Sequence, residues 1–282
     1  MISIMQYPKN NETTILINKK YQVMSKIGQG QFGYVFQGKN AKTGEHVAIK
    51  MEILDSSLKL LKHEVTILNH LRGKGVKYIP FVYWYGIFMQ NPTLVMPLYD
   101  QSLEEWLLHT IMSKKMASEI AIKMVEILDN VHQHFVIHRD IKPQNFMWKG
   151  NEFYLIDFGL STVYVNENKD HILPKNENIY ILGTPKFVSI HIHNGIDASR
   201  RDDLISVAYI YMYMLGNRHI QWENVSDCGQ NEDKYAENHI LYYKNQIRKR
   251  KKMEEHGALL DYLYDLHYDE TPNYAKITGL FL

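Results

Sequence analysis

Cysteine is all but missing: Cys228 is the one cysteine in 282 residues, so no internal disulfide can form. A reducing compartment is the expected setting. Charge of one sign is missing too. Lys+Arg total 32 and Asp+Glu 31, a formal net charge of +1, so no global field draws the chain to nucleic acid or to a membrane. Any charge preference must be local. Long hydrophobic runs are absent: the longest apolar stretches, 78–89 and 204–215, are too short to span a bilayer and read as core segments. The first residues, MISIMQYPKNNE, lack a basic segment followed by a long apolar run and do not read as a secretory signal. There is no internal repeat and no low-complexity linker.

What is present suits one large domain or two lobes sharing a cleft, since 45% of the residues are hydrophobic and can bury a sizeable core. The first ninety or so residues read mostly as strands. Segments 21–27 and 34–39 flank a glycine-rich turn, 46–52 is a further strand, and two more are expected near 81–88 and 93–96. Between them, Leu58, Leu61, Val65 and Leu68 recur at helical spacing and predict a helix over 56–71, with Ser56 or Ser57 as cap. From Ser102 the pattern turns helical. Ser102-Leu103-Glu104-Glu105 opens a helix as a capping box does, 116–134 is a longer amphipathic helix, and 204–215 is apolar all round, as in a buried central helix. A strand-rich half, 1–97, thus precedes a helix-rich half, 98–282, with the join near 97–101.

Four groups of residues carry chemistry. The first is Gly28-Gln29-Gly30-Gln31-Phe32-Gly33-Tyr34-Val35. Glycines let a backbone turn tightly and approach phosphate oxygens without a Cβ in the way. Dinucleotide sites share this spacing but require a helix next; here Val35 and Phe36 continue as a strand. The second is Val47-Ala48-Ile49-Lys50, seventeen residues after Gly33. A lysine ammonium is a point charge suited to two phosphates, and Glu64, fourteen residues on, is the candidate carboxylate to hold it. The third is His138-Arg139-Asp140-Ile141-Lys142-Pro143-Gln144-Asn145. The fourth, twelve residues after Asn145, is Asp157-Phe158-Gly159. Asn145 and Asp157 offer hard oxygen donors for Mg²⁺. Asp140 is a carboxylate, a group able to accept a hydrogen bond from a hydroxyl.

In order and separation these four groups resemble the motifs of protein kinases. Lys142 followed by Pro143 resembles serine/threonine kinases more than tyrosine kinases. The stretch from Leu182, LGTPKFVSIHIHNGIDASRRDDL, is similar to the casein kinase 1 group. It has Ser189-Ile190-His191 where most kinases carry A-P-E, and then His193, Gly195, Ile196 and Ser199–Leu204. The resemblance covers about 21–274. The vaccinia-related kinases share the S-I and S-R-R segments but are less similar in the catalytic loop.

The resemblance implies an α+β, bilobal kinase fold: an N-lobe antiparallel sheet with one main helix, and a mainly helical C-lobe. It implies phosphoryl transfer from ATP, with Mg²⁺, to Ser/Thr hydroxyls of proteins. Catalytic roles fall to Asp140, Lys142, Lys50, Glu64 and Thr184. The nucleotide site comprises Ile27, Gly28, Gln29, Gly30, Gly33, Val35, Ala48, Lys50, Met96, Pro97, Tyr99, Asn145 and Asp157, the last two holding the metal. Met96 corresponds to the gatekeeper and Pro97–Tyr99 to the hinge; proline stands where the family usually has glutamate, and it keeps the carbonyl that position uses. Asp203 corresponds to the aspartate that braces the catalytic-loop backbone.

Relatives in the casein kinase 1 group prefer acidic or phosphorylated segments. The basic pocket responsible corresponds here to Asn176, with Lys175 beside it, and to Lys244, across an apparent insertion at 226–237. The basic run Arg248–Lys252 is a solvated helix face balanced by Glu254 and Glu255, or else an acidic-substrate patch or nuclear import signal. The fourteen histidines, His132, His134, His191 and His193 among them, are expected to pack or face solvent rather than bind metal. The resemblance implies an intracellular, cytoplasmic or nuclear monomer that needs neither nucleic acid nor membrane. The alternatives are a vaccinia-related type of viral origin, working in a host cell, and a catalytically silent scaffold.

Overall fold

Residues 16–30, 33–53, 59–174, 180–222, 233–250 and 257–282 are described by the computed structural model, the side chains of 233–238 and 248–250 aside. By its contacts the chain divides into two compact units: Met1–Lys62 with Val82–Leu98, and His63–Phe81 with Tyr99–Leu282.

The first unit is an antiparallel sheet of β1 (Leu16–Ile17), β2 (Tyr21–Gly30), β3 (Gly33–Asn40), β4 (His46–Glu52), β5 (Trp84–Phe88) and β6 (Asn91–Pro97), in the order β1-β2-β3-β4-β6-β5. Strand side chains alternate between faces. One face therefore gathers Phe36, Val47, Ile49, Met51 and Val95 with Ile17 and Tyr21 into the core. The register sets Gly28 opposite Val35, Val35 opposite Lys50, and Ala48 opposite Met96, so these share the other face. The sheet is tight at Gly33, where a Cβ would stand 2.1 Å from the Met51 carbonyl oxygen. The strand expected over 81–88 begins only at Trp84; Phe81 instead has the Arg72 guanidinium over its ring, 5.3 Å from the ring centroid.

Helix α1 (Leu60–Gly73) crosses the division between Lys62 and His63. Its first amides, on Leu60 and Leu61, donate to Glu52 Oε1 at 2.7 and 3.1 Å, so a buried glutamate at the end of β4 caps it. Ser56 and Ser57 lie outside the described residues.

The second unit holds α2 (Leu103–Leu107), α3 (Lys114–Gln133), α4 (Ile190–His193), α5 (Arg200–Leu215), α6 (Asp233–Arg250), α7 (Gly257–Asp265) and α8 (Tyr274–Gly279). Its strands are short: β7 (Gln101–Ser102), β8 (Val136–Ile137), β9 (Phe146–Lys149), β10 (Glu152–Leu155) and β11 (Thr162–Val163), paired as β10-β9-β7 and β11-β8. The capping box at Ser102 forms, its amide donating to Glu105 Oε2 at 2.7 Å and Glu105 N donating back to Ser102 Oγ at 3.1 Å. Helix α5 is buried at every position except Met212 and Leu215, and from Leu204 on its sequence is accordingly apolar all round. Helices α3 and α7 pack against it, and α8 packs against α3. No described helix is long and apolar enough to cross a membrane.

Candidate active site

The loop 138–145 leaves β8 and enters β9, and its shape is imposed from α5. Asp203, 2% exposed, accepts from His138 N at 2.7 Å and His132 Nε2 at 3.0 Å on one oxygen, and from Arg139 N at 2.9 Å on the other. Burial alone would raise the Asp203 pKa, but the bonds from His132 and the loop outweigh it and hold the carboxyl below the ordinary 3.8. Arg139 takes a left-handed φ of 69°, which turns the chain so that both amides meet one carboxylate.

The His138 ring completes the brace. Nδ1 accepts from Asp140 N at 3.3 Å, so Nε2 carries the proton and donates to Ile156 O at 3.0 Å. Phe158 meets the ring edge-on, 4.8 Å between centroids. Burial holds His138 below its ordinary pKa and therefore neutral.

Asp140, 7% exposed, is caged by three donors. Thr184 Oγ1 donates to Oδ1 at 2.7 Å; Lys142 Nζ and Asn145 Nδ2 donate to Oδ2 at 2.6 and 3.2 Å. Asn145 Nδ2 also donates to the Asp140 carbonyl at 2.8 Å. That leaves Asn145 Oδ1 as an oxygen donor. Thr184 arrives because Gly183 has φ 105° and lies flat on the loop; a Cβ there would stand 2.6 Å from the Arg139 carbonyl oxygen. Asp157 sits at φ 66°, ψ 66°, a strained conformation for a side-chain-bearing residue, ahead of the fully buried Phe158.

Among the described residues no group of three or more His, Cys, Asp or Glu stands ready to hold a metal. A cation here would be held by Asn145 Oδ1 and Asp157 and completed by ligand and water oxygens. That donor set fits a hard divalent ion such as Mg²⁺, which keeps part of its shell on phosphate and water.

The remaining candidates belong to the first unit, apart from Glu64 and Tyr99. Val35, Ala48, Lys50 and Met96 share the sheet face opposite the core, with Gly28. Ile27 is the extra residue of a bulge between Lys26 and Gly28 and is half exposed. Gln29 pairs with Tyr34, and Gly30 with Gly33, at the hairpin end. Pro97 costs the sheet nothing. Val95 O accepts from Tyr83 N at 2.8 Å, and Pro97, two residues on, points the same way where β5 no longer runs. Glu64 is buried in α1, in the second unit. Tyr99 opens that unit's second segment, its buried ring 5.1 Å from Tyr154.

One expectation is corrected. Lys244 does not face solvent as an anion-binding lysine; it is 1% exposed, and its ammonium is spent on Pro185 O, Val188 O and His193 Nε2. Lys175 and Asn176 lie outside the described residues, as do Cys228, most of 226–237 and the side chains of the Arg248–Lys252 run. Sequence reading also missed His132 as a site residue, although Met124, Leu128 and His132 follow one another at four-residue spacing on the buried face of α3.

A protein with His138 and His193 buried neutral loses stability in mild acid. Burial and the Lys244 ammonium push His193 down to about 3. The unfolded chain takes up protons below the ordinary 6.5 of both histidines, whereas the fold does not until far lower pH. Stability from these groups is therefore complete above that value. It should fall by about 1.4 kcal/mol per pH unit for each as pH drops below it. Urea denaturation between about pH 7 and pH 5 checks this; a flat profile would show compensating groups elsewhere.

A carboxylate caged by lysine, threonine and asparagine, with two hard oxygen donors a short way along the chain, is equipment for phosphoryl transfer to a hydroxyl. The family model for the protein kinase domain matches residues 21–271, and the chain belongs to that family. The protein is accordingly a phosphotransferase that uses ATP and acts on proteins.

Proposed function

We propose that the chain is a serine/threonine protein kinase of casein kinase 1 type, a bilobal monomer with residues 1–97 as N-lobe and 98–282 as C-lobe, working inside the cell with Mg-ATP. The observation that carries this is the triple-donor cage on Asp140. An acid whose oxygens already hold fixed donors has a fixed direction, and direction is most of what the reaction needs from the protein.

In this reading Lys50 holds the α- and β-phosphates and Glu64 is its carboxylate partner. Gly28, Gln29, Gly30 and Gly33 bring backbone close to the phosphates. Ile27, Val35, Ala48 and Met96 bound the adenine, whose amine donates to the Pro97 carbonyl and whose ring nitrogen accepts from the Tyr99 amide. Asn145 and Asp157 hold the cation, which when bound neutralises charge on the β- and γ-oxygens. Asp140 accepts the hydrogen bond of the substrate hydroxyl and aims its oxygen at the γ-phosphorus. The new O–P bond forms as the bond to the β-phosphate oxygen breaks; the hydroxyl proton passes to Asp140. Lys142 accompanies the transferring group.

Serine/threonine choice is supported by Lys142 beside Pro143, and the casein kinase 1 type by Ser189-Ile190 and Ser199–Leu204. These last residues have defined tasks: Arg200 donates to Asp269 O and Thr271 Oγ1 at 2.7 and 3.1 Å, Arg201 to Leu266 O at 2.7 Å, and Asp202 accepts from Ser189 and Ser199. With Lys244 buried, an acidic or primed preference must draw on other cations.

The test is transfer of radiolabelled γ-phosphate to casein with Mg-ATP, followed by phosphoamino-acid analysis and a panel of primed and unprimed peptides. Label on serine or threonine is expected. Label on tyrosine would overturn the specificity, and no turnover would favour the scaffold reading.

A further inference from the structure

The turn that carries Thr184 is pinned from behind by side chains distant in sequence. Phe187 N and Val188 N both donate to Thr184 O, at 2.8 and 3.0 Å, which folds 184–188 into a tight turn. The carbonyls that face away are each taken. Pro185 O and Val188 O accept from Lys244 Nζ at 2.7 and 2.6 Å, and Lys186 O accepts from Trp222 Nε1 at 2.8 Å. Ser189 Oγ donates to Asp202, and Ile190 N to the Tyr264 hydroxyl at 3.2 Å.

Lys244 needs an explanation because an ammonium is a costly group to bury. A leucine or methionine would fill the same space without that cost. The ammonium has three protons and no acceptor. Two go to the turn, and the third meets His193 Nε2 at 3.1 Å. The same nitrogen lies 3.3 Å from Pro185 O, so His193 closes the cluster of lysine and carbonyl from its far side. Tyr209 and Trp222 rings lie 5.0 and 5.4 Å from Nζ and shield it. The buried cation is therefore spent on fixing one short stretch of backbone. The side chain leading that stretch, Thr184, donates to Asp140 at 2.7 Å.

We propose that Lys244, supported by His193 and Trp222, is a positioning residue for phosphoryl transfer: it locks the 184–188 turn so that Thr184 holds Asp140 in its working orientation. This rests on the reading that Asp140 aims the acceptor hydroxyl. It gives Lys244 a different task from anion binding, since its protons are already used inside the protein.

Lys244→Met keeps the stem and removes the donors, and is read in a double-mutant cycle with Thr184→Ala. Lys244→Met alone should lower kcat on casein about tenfold or more while nucleotide affinity, from a fluorescent ATP analogue, stays within about twofold. In the Thr184→Ala background it should cost less than about twofold further, because both substitutions break one chain of contacts. Effects that multiply would overturn the proposal. Amide hydrogen exchange gives a readout that needs no activity: Phe187 and Val188 should exchange about tenfold faster in Lys244→Met while α3 amides are unchanged. Unchanged exchange at those two amides would also overturn it. A wild-type chain that transfers no phosphate would sink the kinase reading, leaving the exchange result to decide the pin. If Lys244→Met does not fold, Trp222→Phe removes one donor, keeps an aromatic ring and is read in the same two ways.

Discussion

Asparagine in place of Asp140 is expected to lower turnover on a protein substrate by about 10²–10⁴-fold with nucleotide affinity nearly unchanged. The size of the loss follows from donor and acceptor counts. The carboxylate meets three donors, Thr184 Oγ1, Lys142 Nζ and Asn145 Nδ2. A carboxamide has one oxygen. If that oxygen stays on Thr184, its NH₂ faces the Lys142 ammonium and the Asn145 amide, donor against donor. The side chain must rotate or be left with unmade bonds, and in either case the hydroxyl loses both its acceptor and its direction. In the proposed reading nucleotide contacts belong to other residues, so binding should persist. Steady-state kcat on casein, together with titration of a fluorescent ATP analogue, separates the two. A loss under about tenfold would mean that Asp140 does not receive the hydroxyl proton. Loss of nucleotide binding in step with turnover would mean that the substitution had disturbed the loop rather than the chemistry.

Much of this loop was legible in the chain because its chemistry is encoded at short range. His138, Arg139, Asp140, Lys142 and Asn145 fall within eight positions, and residue types so constrained leave a spacing that can be recognised. Element type was legible for the same reason: the capping box at Ser102 is a three-residue relation, and the apolar run of α5 is continuous. What escaped is long-range and polar. Lys244 and Pro185 are 59 positions apart, and nothing near either announces the other. A lysine in a run with polar neighbours reads as surface by composition, yet folding takes its ammonium inward to unpaired carbonyls. His132 escaped for a subtler reason. Its spacing marked a buried face, but burial alone does not say that a histidine will meet an aspartate 71 positions on. The start of α1 shows the same limit. Glu52, eight residues before Leu60, reaches the first amides, a relation that no local signal announces.

Removal of Asp203 should cost the most stability, and the cost should depend on pH in a defined direction. Asp203→Ala deletes the acceptor for His138 N, Arg139 N and His132 Nε2 at once. Three donors, two of them backbone, are left in a space that is 2% exposed around Asp203. Stranding buried partners of a charged group in this way costs about 3–5 kcal/mol. The carboxyl is held below 3.8 in the fold and titrates at the ordinary value when unfolded. Its contribution is thus fully present above about pH 4 and is lost as pH falls through the lower, folded value. Urea denaturation of wild type and variant at about pH 7 should differ by the full amount, and the gap should narrow toward about pH 3. A gap that stays constant with pH would mean that packing, rather than charge, makes Asp203 matter. Asp203→Asn distinguishes these further. It keeps the volume and one oxygen, so it should recover part of the stability at neutral pH while showing no acid dependence from this position. Because the same carboxylate sets the backbone on which Asp140 stands, turnover should fall in both variants even at temperatures where each remains folded.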